Sequence, residues 1–214
     1  MHRKLEGWPL VFTVLTTLAI SVGGIVEFLP FVLVRENVPT IESVKPFTPL
    51  ELAGRDLYIR EGCNNCHSQM VRPFRDEVIR YGEYSKAGET VYEHPFLWGS
   101  KRSGPDLARV GGKYPHLWHV RHMDDPRSIS PRSLMPKYSW LLRRELRIDS
   151  LPRKVAAMKT LGDPYSDADV SGALADAREQ AASIARDVAA QGGPDGLADR
   201  EIVALIAYLQ RLGQ

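Results

Sequence analysis

The sequence EGCNNCHS at residues 61–68 contains both cysteines of the chain, Cys63 and Cys66, with His67 directly after the second. A C-x-x-C-H pattern fits covalent haem attachment, in which two thiols add to the vinyl groups of the ring and the histidine becomes an axial ligand of the iron. One helical turn between the thiols matches the separation of two edge substituents of a porphyrin. The pattern therefore predicts one covalently bound haem c.

Three other uses of a cysteine pair stay open at this point. A structural zinc site normally takes four protein ligands, and the chain has no second cysteine pair. A thioredoxin-like redox pair follows a strand, whereas the residues before Cys63 have a helical pattern. A plain disulfide suits an oxidising compartment but leaves His67 without a role. Haem attachment uses all three residues, so we favour it.

A haem iron held by one histidine needs a sixth ligand, or it keeps an open site for a gas. Met135 in SLMPKY is the predicted ligand, because it lies far downstream in a loop that Pro136 helps to fix. A thioether ligand raises the reduction potential and suits electron transfer. Met70 is too close in sequence to the motif to reach the opposite ring face. Met123 and Met158 lack a comparable loop.

The segment before and within GPDL, at residues 104–107, contains candidates for contacts around the haem. An axial imidazole usually donates its other N–H to a carbonyl, and the Pro105 carbonyl is the predicted acceptor. Lys101 and Arg102 are candidates to neutralise the propionates, and Trp98 to pack against the ring edge. An ordinary surface loop around a core tryptophan would have the same composition.

Three histidines recur every third residue in HLWHVRH, at His116, His119 and His122. This spacing places them roughly along one face of a helix. They could form a metal site or supply a rival axial ligand. Because no thiol or carboxylate lies beside them in sequence, solvated or packed histidines are the simpler interpretation.

The elements that position these residues begin with an apolar segment. From Trp8 to Val26, nineteen residues carry no ionisable side chain, and the apolar character resumes after Glu27. At about 1.5 Å per residue, Trp8 to Val34 spans roughly 40 Å as a helix, which is enough to cross a ~30 Å hydrocarbon core. We therefore expect residues 1–34 to form a cytoplasmic end and a transmembrane helix. Glu27 either reaches water near the far interface or faces a partner helix.

The basic residues Arg3 and Lys4 precede this helix, and the positive-inside rule keeps such residues in the cytoplasm. Everything after the helix then lies on the outer, oxidising side. A cleaved signal peptide is the alternative, because small residues occur at 21, 23 and 24. The apolar run is longer than that of a signal peptide, so we expect a permanent anchor.

The rest of the chain is predicted to form a linker and one mainly α domain. Residues 35–49 contain three prolines and predict an extended linker before a domain at 50–214. A helix over residues 50–62 leads into the motif, and residues 70–138 are mostly irregular. Ser166 and Asp169 resemble a capping box before an apolar stripe, Val170, Leu174, Ala177, Ala181, Ile184 and Val188, and a final helix follows near residues 202–212.

The charged residues are balanced and scattered. Lys and Arg number 28 against 26 Asp and Glu, which gives a net charge of +2. Nucleic-acid binders concentrate basic residues in a stripe or patch, and this chain has none in its sequence. We therefore expect no nucleic-acid partner.

The helix ending in CNNCH, the GPDL loop, the Met–Pro pair and the final IVALIAYLQRL together resemble a class I cytochrome c domain, here with loop and helical insertions. The stretches REGCNNCHSQMVRPFRDEVIRYGEYS, HPFLWGSKRSGPDLARVGGKYP and SLMPKYSWL are similar to subunit II of bacterial cbb3-type cytochrome c oxidases, the membrane-anchored mono-haem subunit. The likeness runs from the anchor to about residue 142. Ser103 stands where threonine is expected, and residues 143–197 are less diagnostic.

In that family the haem c takes electrons from a dihaem cytochrome c subunit and passes them to haem b of the large haem–copper subunit, which reduces oxygen and pumps protons. The resemblance implies that this chain is such a relay, without an oxygen-reduction site of its own. It also implies the bacterial inner membrane, a single pass through the lipid, a cytoplasmic N-terminus and a periplasmic haem domain.

Carried over residue by residue, the resemblance assigns haem attachment to Cys63 and Cys66 and iron ligation to His67 and Met135. Gly99 and Ser100 resemble a loop that approaches a calcium ion at the interface with the catalytic subunit.

Several rival functions use the same motif. The chain could be the mono-haem subunit of a nitric oxide reductase or a stand-alone anchored cytochrome c. It could also be an enzyme or gas sensor with an open iron site, or a disulfide or zinc module without haem.

Overall fold

The computed structural model describes residues 6–34 and 39–214. These residues are mainly helical and form no strand, only one isolated bridge between Glu145 and Arg200. The chain divides into two compact units, Met1–Ile41 and Glu42–Gln214. The predicted fold class, a mainly α domain after one N-terminal apolar helix, is confirmed.

Helix α1 of the first unit spans Pro9–Leu33. Its stretch Pro9–Phe31 is long and apolar enough to cross a membrane, by length and composition. The helix continues through Pro30, and the Val34 N–H bonds to the Pro30 carbonyl at 2.9 Å. Arg3 and Lys4, on which the predicted orientation depends, lie outside the described residues, and so do residues 35–38 of the predicted linker.

The second unit contains the remaining helices, joined by irregular segments. They are α2 (Pro49–Arg60), α3 (Arg75–Tyr81), α4 (His116–Asp124), α5 (Pro126–Ile129), α6 (Leu151–Leu161), α7 (Asp167–Ala190) and α8 (Glu201–Arg211). Single 3₁₀ turns lie at Cys63–Asn65, Ala87–Thr90 and Ser139–Leu142. The predicted helices before the motif and at the C-terminal end are confirmed, whereas α3, α4, α5 and α6 were not predicted as separate elements.

The ends of α2 and α7 follow from local chemistry. Thr48 and Glu51 form a capping box, in which the Thr48 hydroxyl accepts from the Glu51 N–H and the Glu51 carboxylate accepts from the Thr48 N–H. The predicted capping box of Ser166 and Asp169 is present at the start of α7. The stripe on α7 is buried as predicted at four of its six positions, Ala177, Ala181, Ile184 and Val188, and Ala173 is buried instead of Leu174.

The compact unit begins earlier than the expected residue 50. Phe47 is buried in the hydrophobic core. The hydroxyl of Tyr165 donates to the Phe47 carbonyl at 2.6 Å, and Arg211 donates to the Lys45 carbonyl at 2.7 Å. Residues from distant parts of the chain therefore hold the entry segment against the domain.

Helices α2 and α8 pack directly against each other in the centre of the domain. Residues Glu201–Leu209 of α8 are all buried. Gly54 of α2 lies against the Ala204 backbone and Tyr208, so closely that even a methyl group at residue 54 would overlap both. The rings of Tyr58 and Tyr208 meet with centroids 5.3 Å apart. This crossing fixes the helix that leads into the cysteine motif.

We expect Gly54→Ala to lower the free energy of unfolding by about 1–3 kcal/mol, because the added methyl group overpacks the α2–α8 crossing. Gly172→Ala on α7 is the control, since its nearest contact would be an ordinary 3.5 Å approach to Asp176. There the loss of backbone freedom should stabilise the helix by about 0.5–1 kcal/mol. Urea unfolding of the full chain in detergent measures both. Equal stability of the two variants would contradict this account of the crossing.

Candidate haem site

The cysteine motif lies on a tight turn at the end of α2. Gly62 takes a left-handed φ of 72°, which releases the chain from the helix, and Cys63–Asn65 form one 3₁₀ turn. The Cys66 and His67 N–H groups both bond to the Cys63 carbonyl, at 3.1 and 2.9 Å. Both thiols are free, Cys63 half-buried and Cys66 exposed. Burial raises the pKa of the Cys63 thiol to about 12, so this thiol is protonated at neutral pH.

Contacts with Pro105 and Gly104 hold the His67 imidazole in place. Its Nδ1 lies 2.8 Å from the Pro105 carbonyl oxygen, which is the contact expected from the sequence. A carbonyl only accepts, so Nδ1 carries the proton and Nε2 presents its lone pair. Gly104 packs so closely on the ring that a side chain there would overlap it. The geometry therefore leaves one nitrogen of His67 free to bind a metal.

A polar network fixes the loops around this turn. The Asp106 carboxylate accepts hydrogen bonds from the Ser68 hydroxyl at 2.6 Å and from the Met70 N–H at 2.9 Å. Arg102 donates to the Ser68 hydroxyl at 2.7 Å and to the Glu77 carboxylate at 2.8 Å. The network ties the residues after the motif to the GPDL loop and to α3.

The guanidinium group of Arg102 makes its contacts inside this network. All three of its guanidinium nitrogens already contact protein oxygens, on Ser68, Met70 and Glu77. These contacts direct most of the Arg102 donors into the loops, and its contact with a propionate stays a prediction. Its contacts favour a structural role. Lys101 is exposed.

The contact with Arg102 also predicts a pH dependence of stability. Hydrogen bonds from Arg102, with those from Arg72, lower the pKa of Glu77 from its ordinary 4.5 to about 2. A carboxylate whose pKa falls on folding stabilises the protein above its unfolded pKa and stops doing so as the pH drops through its folded pKa. We therefore expect wild type to exceed Glu77→Gln in stability at neutral pH, and this difference to shrink between pH 4.5 and pH 2.

Urea unfolding across this pH range measures the difference, with Glu179→Gln as control, since Glu179 is an exposed residue of α7. A constant difference between wild type and Glu77→Gln at all pH values would contradict the role of the Arg102 contact.

The segment of Met135 is tied to the C-terminal end of α4. The Tyr138 N–H donates to the Met123 carbonyl at 2.7 Å, and the Ser139 hydroxyl donates to the Asp124 carbonyl at 2.9 Å. Met135 itself is half-buried against the hydrophobic core. Burial raises the pKa of Tyr138, and the nearby Cys63 and Cys66 raise it further. Trp140, whose ring contacts Tyr138, donates to the Glu61 carboxylate at 3.1 Å, two residues before Cys63, so this contact brings the methionine segment to the motif.

The segment of Trp98, Gly99 and Ser100 packs against the backbone of the motif. Trp98 is 37% exposed and stacks on Phe96, with ring centroids 4.6 Å apart. Gly99 has a φ of 63°, and a Cβ there would lie 3.0 Å from the His67 carbonyl oxygen. Both the close approach and the φ value explain glycine at this position. Contacts of Trp98 with a haem and of Gly99 or Ser100 with calcium remain predictions.

The three histidines of α4 have different surroundings. His116 pairs with Asp187 at 2.7 Å. His119 is 1% exposed, and burial lowers its pKa to about 4. His122 stacks on Trp118. In the described ranges 6–34 and 39–214, no group of three or more His, Cys, Asp or Glu residues is placed to hold a metal ion. The histidines thus do not form a shared metal site.

Sequence reasoning missed Gly104, Asp106 and Tyr138, which position the predicted ligands. Gly104 and Asp106 contact residues more than thirty positions away, and Tyr138 bonds to Met123 fifteen positions away, so no local pattern indicated them. The stacking of His122 was also not predicted. Tyr114, Trp118 and His122 recur at intervals of four residues, and this spacing could have indicated it.

The residues of this region fit a haem. Two free thiols stand one turn apart, an imidazole exposes one nitrogen, and a half-buried thioether lies on a neighbouring segment. The buried Nδ1 of His122 also has no hydrogen-bond partner among the described residues.

Comparison with known protein families gives one match. The family described as cytochrome c oxidase, mono-heme subunit/FixO, matches residues 2–214, which is nearly the whole chain. No curated protein matches the chain.

Proposed function

Because the chain belongs to the family of mono-haem cytochrome c oxidase subunits, we propose that it relays single electrons through one covalently bound haem c within a cbb3-type oxidase. The electrons come from a dihaem cytochrome c subunit and go to haem b of the large haem–copper subunit, where oxygen is reduced and protons are pumped. The chain itself takes no part in the oxygen chemistry.

One observation carries this proposal. His67 directs Nδ1 to the Pro105 carbonyl and keeps Nε2 free, immediately after two free thiols on the same turn. Cys63 and Cys66 would hold the haem by thioether bonds, and His67 and Met135 would ligate its iron. The bound haem would supply a one-electron couple.

The chain's own residues hold the ligands in place. The Pro105 carbonyl orients the His67 imidazole and makes it a stronger ligand, because it withdraws the proton on the opposite nitrogen. Gly104 allows the close approach of the GPDL loop to the ring. The carbonyls at the end of α4 anchor the Met135 segment. Trp98 would pack at the ring edge.

The apolar helix α1 supports a location in a membrane, with lipid around its exposed side chains. We propose that it anchors the subunit in the bacterial inner membrane with its N-terminus in the cytoplasm, so that the haem domain lies in the periplasm. Gly99 and Ser100 would approach a calcium ion at the interface with the catalytic subunit.

Purification of the native complex from membranes tests the proposal. We expect this chain to retain haem after denaturation and to copurify with a dihaem cytochrome and a large subunit containing haem b and copper. Oxygen reduction should stop when the chain is removed. Copurification with a partner that lacks copper and turns over nitric oxide would favour a reductase instead. Carbon monoxide binding by the isolated subunit would indicate an open iron site and contradict the relay.

A further inference from the structure

Three aromatic rings stack along one face of α4 and the residues before it. The rings of Tyr114 and Trp118 lie 4.0 Å apart at an angle of 11°, and those of Trp118 and His122 lie 4.6 Å apart at 14°. Residues four apart share a helical face, which brings the rings together. The stack holds the His122 imidazole in one orientation.

The oriented imidazole has an unused polar atom. Nδ1 of His122 is buried and has no hydrogen-bond partner among the residues that the structure describes. A buried polar atom without a partner costs about 1–3 kcal/mol, so such atoms normally indicate a missing partner.

The backbone places His122 beside the segment of Met135. The next residue, Met123, accepts the hydrogen bond from the Tyr138 N–H that anchors this segment. Trp140, whose ring contacts Tyr138, donates to the Glu61 carboxylate at 3.1 Å, and Glu61 lies two residues before Cys63. The same segment therefore connects His122 to the methionine and to the cysteine motif.

We propose that His122 donates a hydrogen bond from Nδ1 to an acceptor that arrives with the haem, and that this bond raises the reduction potential. The inference rests on the proposed function. Two acceptors come with the group, a propionate carboxylate and the sulfur of Met135 once it is bound to iron. Reduction removes one positive charge at the iron, which strengthens the hydrogen bond to either acceptor, so an N–H donor stabilises the reduced state more than the oxidised state. His122 is thus a positioning residue, held in turn by Trp118.

The test compares variants of the full chain, loaded with haem and purified in detergent. His122→Phe keeps a ring on Trp118 but removes the donor, and His122→Leu is a second donor-free variant. His122→Asn keeps an N–H near the position of Nδ1. His116→Phe is the matched control, because His116 lies on the same helix but pairs with Asp187.

Redox titration of the haem gives the measurement, after the absorption spectrum has shown unchanged ligation. We expect the donor-free variants to lower the ratio of reduced to oxidised haem at a fixed applied potential by up to about tenfold, which is about 59 mV for one electron. His122→Asn should recover at least half of this shift, and His116→Phe should match wild type.

A double-mutant cycle with Met135→Leu identifies the acceptor. The effect of His122→Phe should vanish in that background if the acceptor is the Met135 sulfur, and persist if it is a propionate. An unchanged potential in both donor-free variants would overturn the inference alone. A change of iron ligation in them would overturn it too, because His122 would then be an axial ligand. Absence of haem from wild type would contradict the proposed function as well.

Discussion

Replacing both Cys63 and Cys66 by serine should leave the polypeptide at its bare mass after denaturation, whereas wild type should be heavier by one haem. Serine cannot form the thioether bonds, and the chain contains no other cysteine that could replace them. We expect complete loss of covalent haem in the double variant. Each single variant should hold the haem by one bond in reduced yield. Mass spectrometry of the denatured chain measures all of these outcomes.

Asn64→Ser is the matched control for this experiment. It introduces serine into the same 3₁₀ turn but keeps both thiols and His67. It should carry a full complement of haem. If the double cysteine variant also retained haem after denaturation, or if wild type had the bare mass, the assignment of the motif would be wrong and a disulfide or zinc module would have to be considered again.

Replacing Met135 by leucine should lower the reduction potential of the haem on the order of 100 mV, within the range of ~0.8 V that axial ligands span. Leucine has a similar volume, so the half-buried position should tolerate the change while the sulfur ligand is lost. The iron would then have an open position. We expect carbon monoxide to shift the reduced spectrum of the variant but not that of wild type.

Met158→Leu provides the comparison, because it makes the same chemical change at another partly buried methionine packed on the core. It should leave both the potential and the carbon monoxide response at wild-type values. A Met135→Leu protein with the optical and redox properties of wild type would show that another residue is the sixth ligand, and His122 would be the first to examine.

Features set by neighbouring residues could be predicted from the sequence. The Ser166–Asp169 capping box needs only the spacing of two side chains, and the structure contains it. The final helix was predicted from an apolar face, and Ile202, Leu205 and Ile206 are fully or almost fully buried in α8. The spacing of Cys63, Cys66 and His67 along the chain likewise predicted that they share one turn.

Features set by distant residues could not be predicted. The contacts of Arg102 with Ser68, Met70 and the Glu77 carboxylate on α3 were not predicted, because these residues lie 25 to 34 positions earlier in the chain. The burial of Phe47 was not predicted, since it depends on Tyr165 and Tyr208, which lie far along the chain. Ligation of the haem iron by Met135 also depends on residues that are distant in sequence, and it stays a prediction.

The pairing of α2 with α8 also determines when the domain can fold. The first and the last helices of the compact unit are mutual partners, so the core closes only after the segment up to Arg211 has been synthesised. Long-range closure of this kind is slow, because a large loop must be ordered before the contact forms. Until then the two cysteines, three and six residues beyond α2, lie on an open chain. The proposed attachment of haem to these thiols could therefore precede closure of the core.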